Sequence, residues 1–391
     1  MNKLVGSVSA VFGIHRRDAE FAEKSWGEMY LVSGLKAQPK TGRLRAFCVS
    51  AVNRRLVGLA MALAVASAAV GAERLVVYAD RSFAKWGPAT AIEQAFEAAH
   101  PGVDLVWVAP AGGAEMLSRL IAEIGTGKTE ADVFLGITAA SLPRALAHDV
   151  FRPYDPALIP NLTFVPEELL FDTTGRVIPF DHGYVTLVAS AALPEDLVPH
   201  TFQDLLRPEL KGKIILQDPR TSETGLAFLL WTVSHFGDGW PAFWKALLPN
   251  TLTITKGWSE AFAMFEAGEA PIVLSYSTDA AYAYITTGTA AYRVLTLDGE
   301  GYRLVEGMGI VSTTAKLDLA HAFLNIVLSR EIQELIPTSQ WMFPVHEEVE
   351  LPSDFARYAV LPEVPVFLSP TYAAEHLEEW LNRWQQVLGE L

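Results

Sequence analysis

The chain has 391 residues, half of them apolar and only 19% charged, a composition that suits a large core and argues against intrinsic disorder. That length exceeds one ordinary core, so two domains are expected. A formal charge of −15 argues against nucleic acid or an anionic membrane as a partner.

The charge is unevenly placed. The first 72 residues carry ten Lys/Arg and four Asp/Glu, which leaves 20 basic and 41 acidic residues, formally −21, in the remainder. This leading part contains the three-part pattern of a secretory signal peptide. Asn53-Arg54-Arg55 is basic, 56–69 is an uncharged apolar run, and Val70-Gly71-Ala72 is a small-residue cleavage site before Glu73. From Leu56 to Ala72 is 17 residues, fewer than the ~20 that span a bilayer. A cleaved signal at 52–72 is therefore expected, with a soluble, periplasmic mature chain. Residues 1–51 lack periodicity and are read as a non-native or disordered leader, with the true start near Val52. The only cysteine, Cys48, precedes the signal's apolar core. The mature chain then has no disulfide, no thiolate nucleophile and no zinc–sulfur site.

In chain order, 75–79 predicts a strand ending at Asp80, with Ser82 as a cap for the segment after it. Phe83, Trp86, Gly87 and Pro88 predict an aromatic loop. The pattern then gives a helix over 90–99, a strand over 103–108, and a Gly-rich turn at 110–115 leading to a helix over 116–124. A third strand over 131–136 is followed by the hydroxyls Thr138 and Ser141. This alternation predicts a mostly parallel sheet covered by helices. Four prolines make 151–177 irregular, and 177–190 reads as a crossing from a first domain into a second.

A helix start is expected at 201–206 and a strand at 213–217. That strand ends in Asp218-Pro219-Arg220-Thr221-Ser222-Glu223-Thr224-Gly225, and helices come next over 226–236 and 240–248. Residues 255–279 then give a helix capped by Gly257 with Glu260 in the capping-box position, a stop at Gly268, and a strand over 272–276. That strand runs into Ser277, Thr278 and Asp279, all helix-capping types, with the next helix over 280–287. A strand end that feeds a helix start is where open α/β sheets bind small ligands. Strands at 293–297 and 302–312, the latter a crossing back, precede a helix at 317–328, a loop at 336–344 with Trp341, and a final helix at 372–388.

Two α/β domains with two chain crossings suit a hinged protein that closes on a ligand. Asp80, Thr138, Ser222, Glu223, Ser277, Thr278 and Asp279 stand at strand ends. Trp86, Trp258, Tyr276 and Trp341 come from comparable places. Aromatics with carboxylates suit a delocalised organic cation. Each has a plainer reading: Ser222 and Ser277 as helix caps, Trp86 and Trp341 as packing, and His182 of Asp181-His182-Gly183-Tyr184 as a hinge or packing residue.

The pieces 217–225 (QDPRTSETG), 229–232 (LLWT), 253–261 (TITKGWSEA), 273–278 (VLSYST) and 337–345 (PTSQWMFPV) resemble the periplasmic thiamine-binding subunits of bacterial thiamine ABC transporters. Residues 83–88, 131–136 and 179–184 (PFDHGY) match in the same order. The likeness covers 73–391 and none of 1–50.

The resemblance implies a type II periplasmic-binding-protein fold, in which two α/β domains, 73–180 plus 310–391 and 181–309, flank a ligand cleft. It implies capture of thiamine and its phosphate esters and delivery to an inner-membrane ABC permease, as a monomer, without catalysis, cofactor or metal. Ser222 and Glu223 would contact the ligand, and Trp258 would stack on it. Tyr276, Ser277, Thr278 and Asp279 would line the other wall, with Trp86 and Trp341 closing the box. Two positions depart from the family pattern. Gly112-Gly113 stands where the relatives have an Asp-Gly pair, and Asp80 where they have a tyrosine. The acid is expected to have moved to Asp80 or Glu115. Two other classes stay open: a binder of another solute, such as a polyamine or ferric iron, and a thiamine-cleaving enzyme of the same fold. The iron reading offers only Tyr276 at the strand end, and the enzyme would use a cysteine nucleophile that the mature chain lacks.

Overall fold

Two sets of three parallel strands are joined through an antiparallel pair at the centre of one sheet. The computed structural model describes residues 73–390. The leader, the signal peptide at 52–72 and Cys48 lie outside the described residues. The strands are β1 (Glu73–Ala79), β2 (Val103–Val108), β3 (Val133–Thr138), β4 (Val177–Ser190), β5 (Ile214–Gln217), β6 (Thr251–Thr255), β7 (Ile272–Tyr276), β8 (Tyr292–Leu295), β9 (Glu300–Ile310), β10 (Phe343–Pro344) and β11 (Val364–Val366).

The main path runs β2-β1-β3-β9-β4-β7-β5-β6, with β8 and β10 on β4 and β11 on β9. β1 is parallel to β2 and β3, and β5 to β6 and β7. β9 is antiparallel to both β3 and β4, and β4 to β7. The two long crossing segments expected from the sequence are therefore the sheet's central pair. Each parallel trio is built from strand–helix–strand units, which bring the C-terminal ends of β1, β3, β5 and β7 toward that pair.

The core follows this division. One apolar cluster gathers Leu75, Val77, Phe134, Ile178, Phe180, Met308 and Phe323 around β1–β3. A second gathers Leu187, Leu216, Phe228, Trp231, Trp244, Leu274 and Trp384. A smaller one sets Phe262 and Phe265 of the helix Trp258–Glu266 against Ile215 and Val273. The final helix, Pro370–Gly389, comes after β11 but buries Trp380, Trp384 and Val387 in the second cluster, with Trp384 edge-on to Trp244 at 5.7 Å.

Local differences from the sequence reading have local causes. The first part of the expected aromatic loop at 83–88 is a short helix, Arg81–Trp86, because Asp80 rather than Ser82 supplies the cap: its Oδ1 accepts from the Ser82 N–H at 2.6 Å. The helix expected from 201 is only a 3₁₀ turn, Gln203–Leu206, since Pro208 forces Arg207 before it into an extended conformation. The loop at 336–344 contains the short helix Ile336–Ser339 and β10. The helix Ser353–Tyr358 has no counterpart in the sequence pattern; it packs through Phe355 and through Tyr358, stacked on Tyr284 at 4.0 Å. Among the described residues no helix is long and apolar enough to cross a membrane.

Candidate ligand-binding site

Asp80 ends β1 where two helices begin. Its Oδ1 also accepts from the Ser82 hydroxyl, and its Oδ2 accepts from the Gly113 N–H, the first residue of the helix Gly113–Thr126, at 2.6 Å. A carboxylate held between two helix N-termini is favoured by their partial positive charge. The acid of Asp80 thus reaches the Gly112-Gly113 turn. Glycine suits position 113, since a Cβ there would lie 3.2 Å from the Gly136 carbonyl oxygen. Glu115 points elsewhere, to an exposed pair with Lys256 at 3.6 Å.

Glu223 opens the helix Glu223–Phe236 after β5 and accepts from the Thr138 hydroxyl at the end of β3, at 2.6 Å. Thr138 on β3 pairs in register with Glu306 on β9, and Glu306 pairs in turn with Asp181 on β4. Four carboxylates, Asp80, Asp181, Glu223 and Glu306, therefore converge where β1, β3, β4, β5 and β9 meet. Asp181 is fully buried, and neither of its oxygens has a hydrogen-bond partner among the described residues.

Burial, and then the proximity of other acids, raises the affinity of Asp181, Glu223 and Glu306 for protons. Burial and then the neighbouring Asp80 and Glu223 push Glu306 up to about 8. Burial and then Glu306 raise Asp181; burial and then Asp80 raise Glu223, against the Thr138 and Ser141 hydroxyls. Tyr276, at the end of β7, is also raised, by burial first and then by Glu306, Asp80, Asp181 and Asp279.

An aromatic row borders these acids. Trp258 is edge-on to Tyr276 at 6.1 Å and stacked on Phe262 at 4.9 Å. Phe262 meets Tyr282 at 5.8 Å, and Tyr282 meets Trp341 at 5.1 Å. The Trp258 indole N–H donates to Ser275 Oγ at 2.8 Å, which fixes the ring's tilt. Trp341 has φ 59°, unusual for a bulky residue and held by the short helix before it. Trp86 is 46% exposed beneath Lys85, whose Nζ lies 4.6 Å from its ring centre; the turn after it abuts Gln340.

The remaining expected residues divide. Ser222 is buried and its hydroxyl caps its own helix, accepting from the Gly225 N–H at 3.3 Å and contacting Thr224 at 2.8 Å. The hydroxyls of Ser277 and Thr278 and Oδ2 of Asp279 are buried without a partner among the described residues. Burial pushes Asp279 up to about 7, against hydrogen bonds from Ser275 and the Tyr276 backbone. His182 stacks on Phe343 at 5.5 Å, and burial, then Arg303, lower it to about 4, so it packs there as a neutral ring.

The sequence reading did not place Glu306, Asp181, Phe262, Tyr282 or Gln340 in the site. Asp181 had a signal, as the only acid in β4, whereas Glu306 shares β9 with Glu300 and Arg303 and does not stand out. Among the described residues no group of three or more His, Cys, Asp or Glu is arranged to hold a metal ion.

Residues 84–334 match the family of bacterial extracellular solute-binding proteins. Over 325 residues the chain is 34% identical to the thiamine-binding periplasmic protein of Brucella abortus biovar 1 (strain 9-941), covering 82% of this chain and 94% of that protein. Over 333 residues it is 35% identical to the thiamine-binding periplasmic protein of Salmonella typhimurium (strain LT2), covering 85% and 98%. A solved periplasmic thiamin binding protein superposes with a TM-score of 0.72 at 32% identity, covering 80% of this chain and 96% of that one.

Proposed function

The chain belongs to the bacterial extracellular solute-binding proteins and has their type II periplasmic-binding-protein fold, and on that basis we propose that it captures thiamine in the periplasm and delivers it to an ABC transporter permease. The observation that carries the reading is the juxtaposition of four carboxylates with the row Tyr276–Trp258–Phe262–Tyr282–Trp341. A flat cation answers both: its faces stack on rings, and its charge offsets the acids.

In this reading two lobes, 73–180 plus 310–369 and 181–309, close on the ligand, and the C-terminal helix, expected with the first lobe, travels instead with the second, on whose core it packs. Trp258 stacks on the thiazolium. Asp80, with Gly112 and Gly113, and Glu223 form one wall; Tyr276, Ser277, Thr278 and Asp279 form the other; Trp86 and Trp341 close the rim. The phosphate of a thiamine ester is received by the Ser277 and Thr278 hydroxyls at the start of the helix Asp279–Thr287. The protein works as an exported, monomeric carrier without catalysis.

The test is a tryptophan-fluorescence titration of residues 73–391 with thiamine, its mono- and diphosphate, spermidine and ferric iron. Saturable quenching by a thiamine compound at micromolar concentration is expected. No response to any of them overturns the reading.

A further inference from the structure

The site holds more acid than the folded chain neutralises. Asp80, Asp181, Glu223 and Glu306 arrive on separate elements, and none forms an ion pair among the described residues. The closest relation is between Asp181 on β4 and Glu306 on β9, partners in register, with a ladder irregularity between Pro179 and Asp181. Asp181 is sealed from water with both oxygens unpartnered. A carboxyl so placed is stable as the neutral acid or against a cation, not as a bare anion.

Every group facing the pair is acidic or neutral. From β1 comes Asp80; from β3, Thr138; from the helix after β5, Glu223; from β7, Tyr276; and from the loop before β10, Gln340, whose amide donates to Glu306 Oε2 at 3.4 Å. The basic groups of the same two strands face away. His182 stacks on Phe343, and the Arg303 guanidinium lies 4.7 Å from the Phe367 ring centre.

We propose that Asp181 and Glu306 act as one acid pair that keeps a proton in the ligand-free protein and releases it to solvent when a permanently cationic ligand is seated. Capture is then proton-linked: the protonated pair and the ligand cation give the ionised pair beside the cation and one proton in the buffer. This rests on the reading of the site as one for thiamine, whose thiazolium charge does not titrate. The upward displacement of both acids has the direction that the exchange needs. Affinity then rises with pH in the interval below about 8, approaching tenfold per pH unit for a full proton released.

The test is calorimetry of the full chain with thiamine at neutral pH in phosphate and in Tris, whose ionisation heats differ, so that the difference counts protons. The unsubstituted protein should release between about half and one proton. Glu306→Gln and Asp181→Asn should release almost none, bind at least fivefold more weakly, and lose the pH dependence. No proton release by the unsubstituted protein, or unchanged release by both variants, overturns the pair. If thiamine does not bind at all, the reading of the ligand fails, and the ligand-free protein still decides the pair. An acid whose folded value is raised loses stability as pH rises, so the melting temperature of Glu306→Gln should gain on the unsubstituted protein between pH 5 and pH 8. Parallel profiles of both variants and the unsubstituted protein overturn it.

Discussion

Trp258 is held in place before any ligand arrives. Phe262 supports one side of its ring and Ser275 Oγ takes its N–H, so little rotamer freedom remains to be lost on binding. Trp258→Ala should weaken thiamine binding at least tenfold, about 1.4 kcal/mol, and Trp258→Phe by less, measured by calorimetry with circular dichroism to confirm folding. Asp279 offers a test on stability. Its folded value of about 7 lies above the ordinary 3.8, so the folded state holds a proton that the unfolded chain has lost between those pH values. Stability from this group is therefore full below about pH 4 and falls as pH rises to about 7, by on the order of 4 kcal/mol at most. Asp279→Asn should flatten that fall, so its melting temperature should gain on the unsubstituted protein from pH 4 to pH 7. A constant difference would count against the buried acid.

At the level of elements, the strand-to-helix turn at 217–225 combines a cap with a close approach. Ser222 caps the helix, and a Cβ on Gly225 would fall 2.6 Å from the Gln217 carbonyl oxygen. Ser222→Ala should cost about 1 kcal/mol, and Gly225→Ala more, because backbone cannot yield as a flexible side chain can. Chemical denaturation orders the two. The apolar runs of β4 and β7 and the amphipathic helix Pro370–Gly389 could be read from sequence because periodicity and turn residues mark them locally. The helix Arg81–Trp86 could not, since its six residues show no period and its existence turns on the Asp80 cap. The same holds at the site. Trp258 and Tyr276 were legible as the two ends of one local helix–strand unit, whereas Asp181 and Glu306 meet only through the register of β4 and β9, which no local pattern encodes.

For the molecule as a whole, the final helix matters more than its position at the end of the chain suggests. It covers Trp244 with Trp384 and pairs Glu390 with Lys245 at 3.1 Å. Removing residues 370–391 would bare that apolar face, at ~1.5–3 kcal/mol for each large side chain uncovered. The shortened protein should melt lower and bind a hydrophobic dye; an unchanged melting temperature would show that the helix is dispensable. The sheet order has a further consequence, for the timing of assembly. β3 finds its inner neighbour only in β9, about 160 residues later, after all of β4–β8. At ~5–20 residues per second, the β3 edge stays bare for on the order of 10–30 s of synthesis. A bare strand edge invites pairing with another chain. The N-terminal trio is thus unable to mature as an independent foldon, and the nascent chain depends on staying extended, or shielded by a holdase, until its last third has emerged.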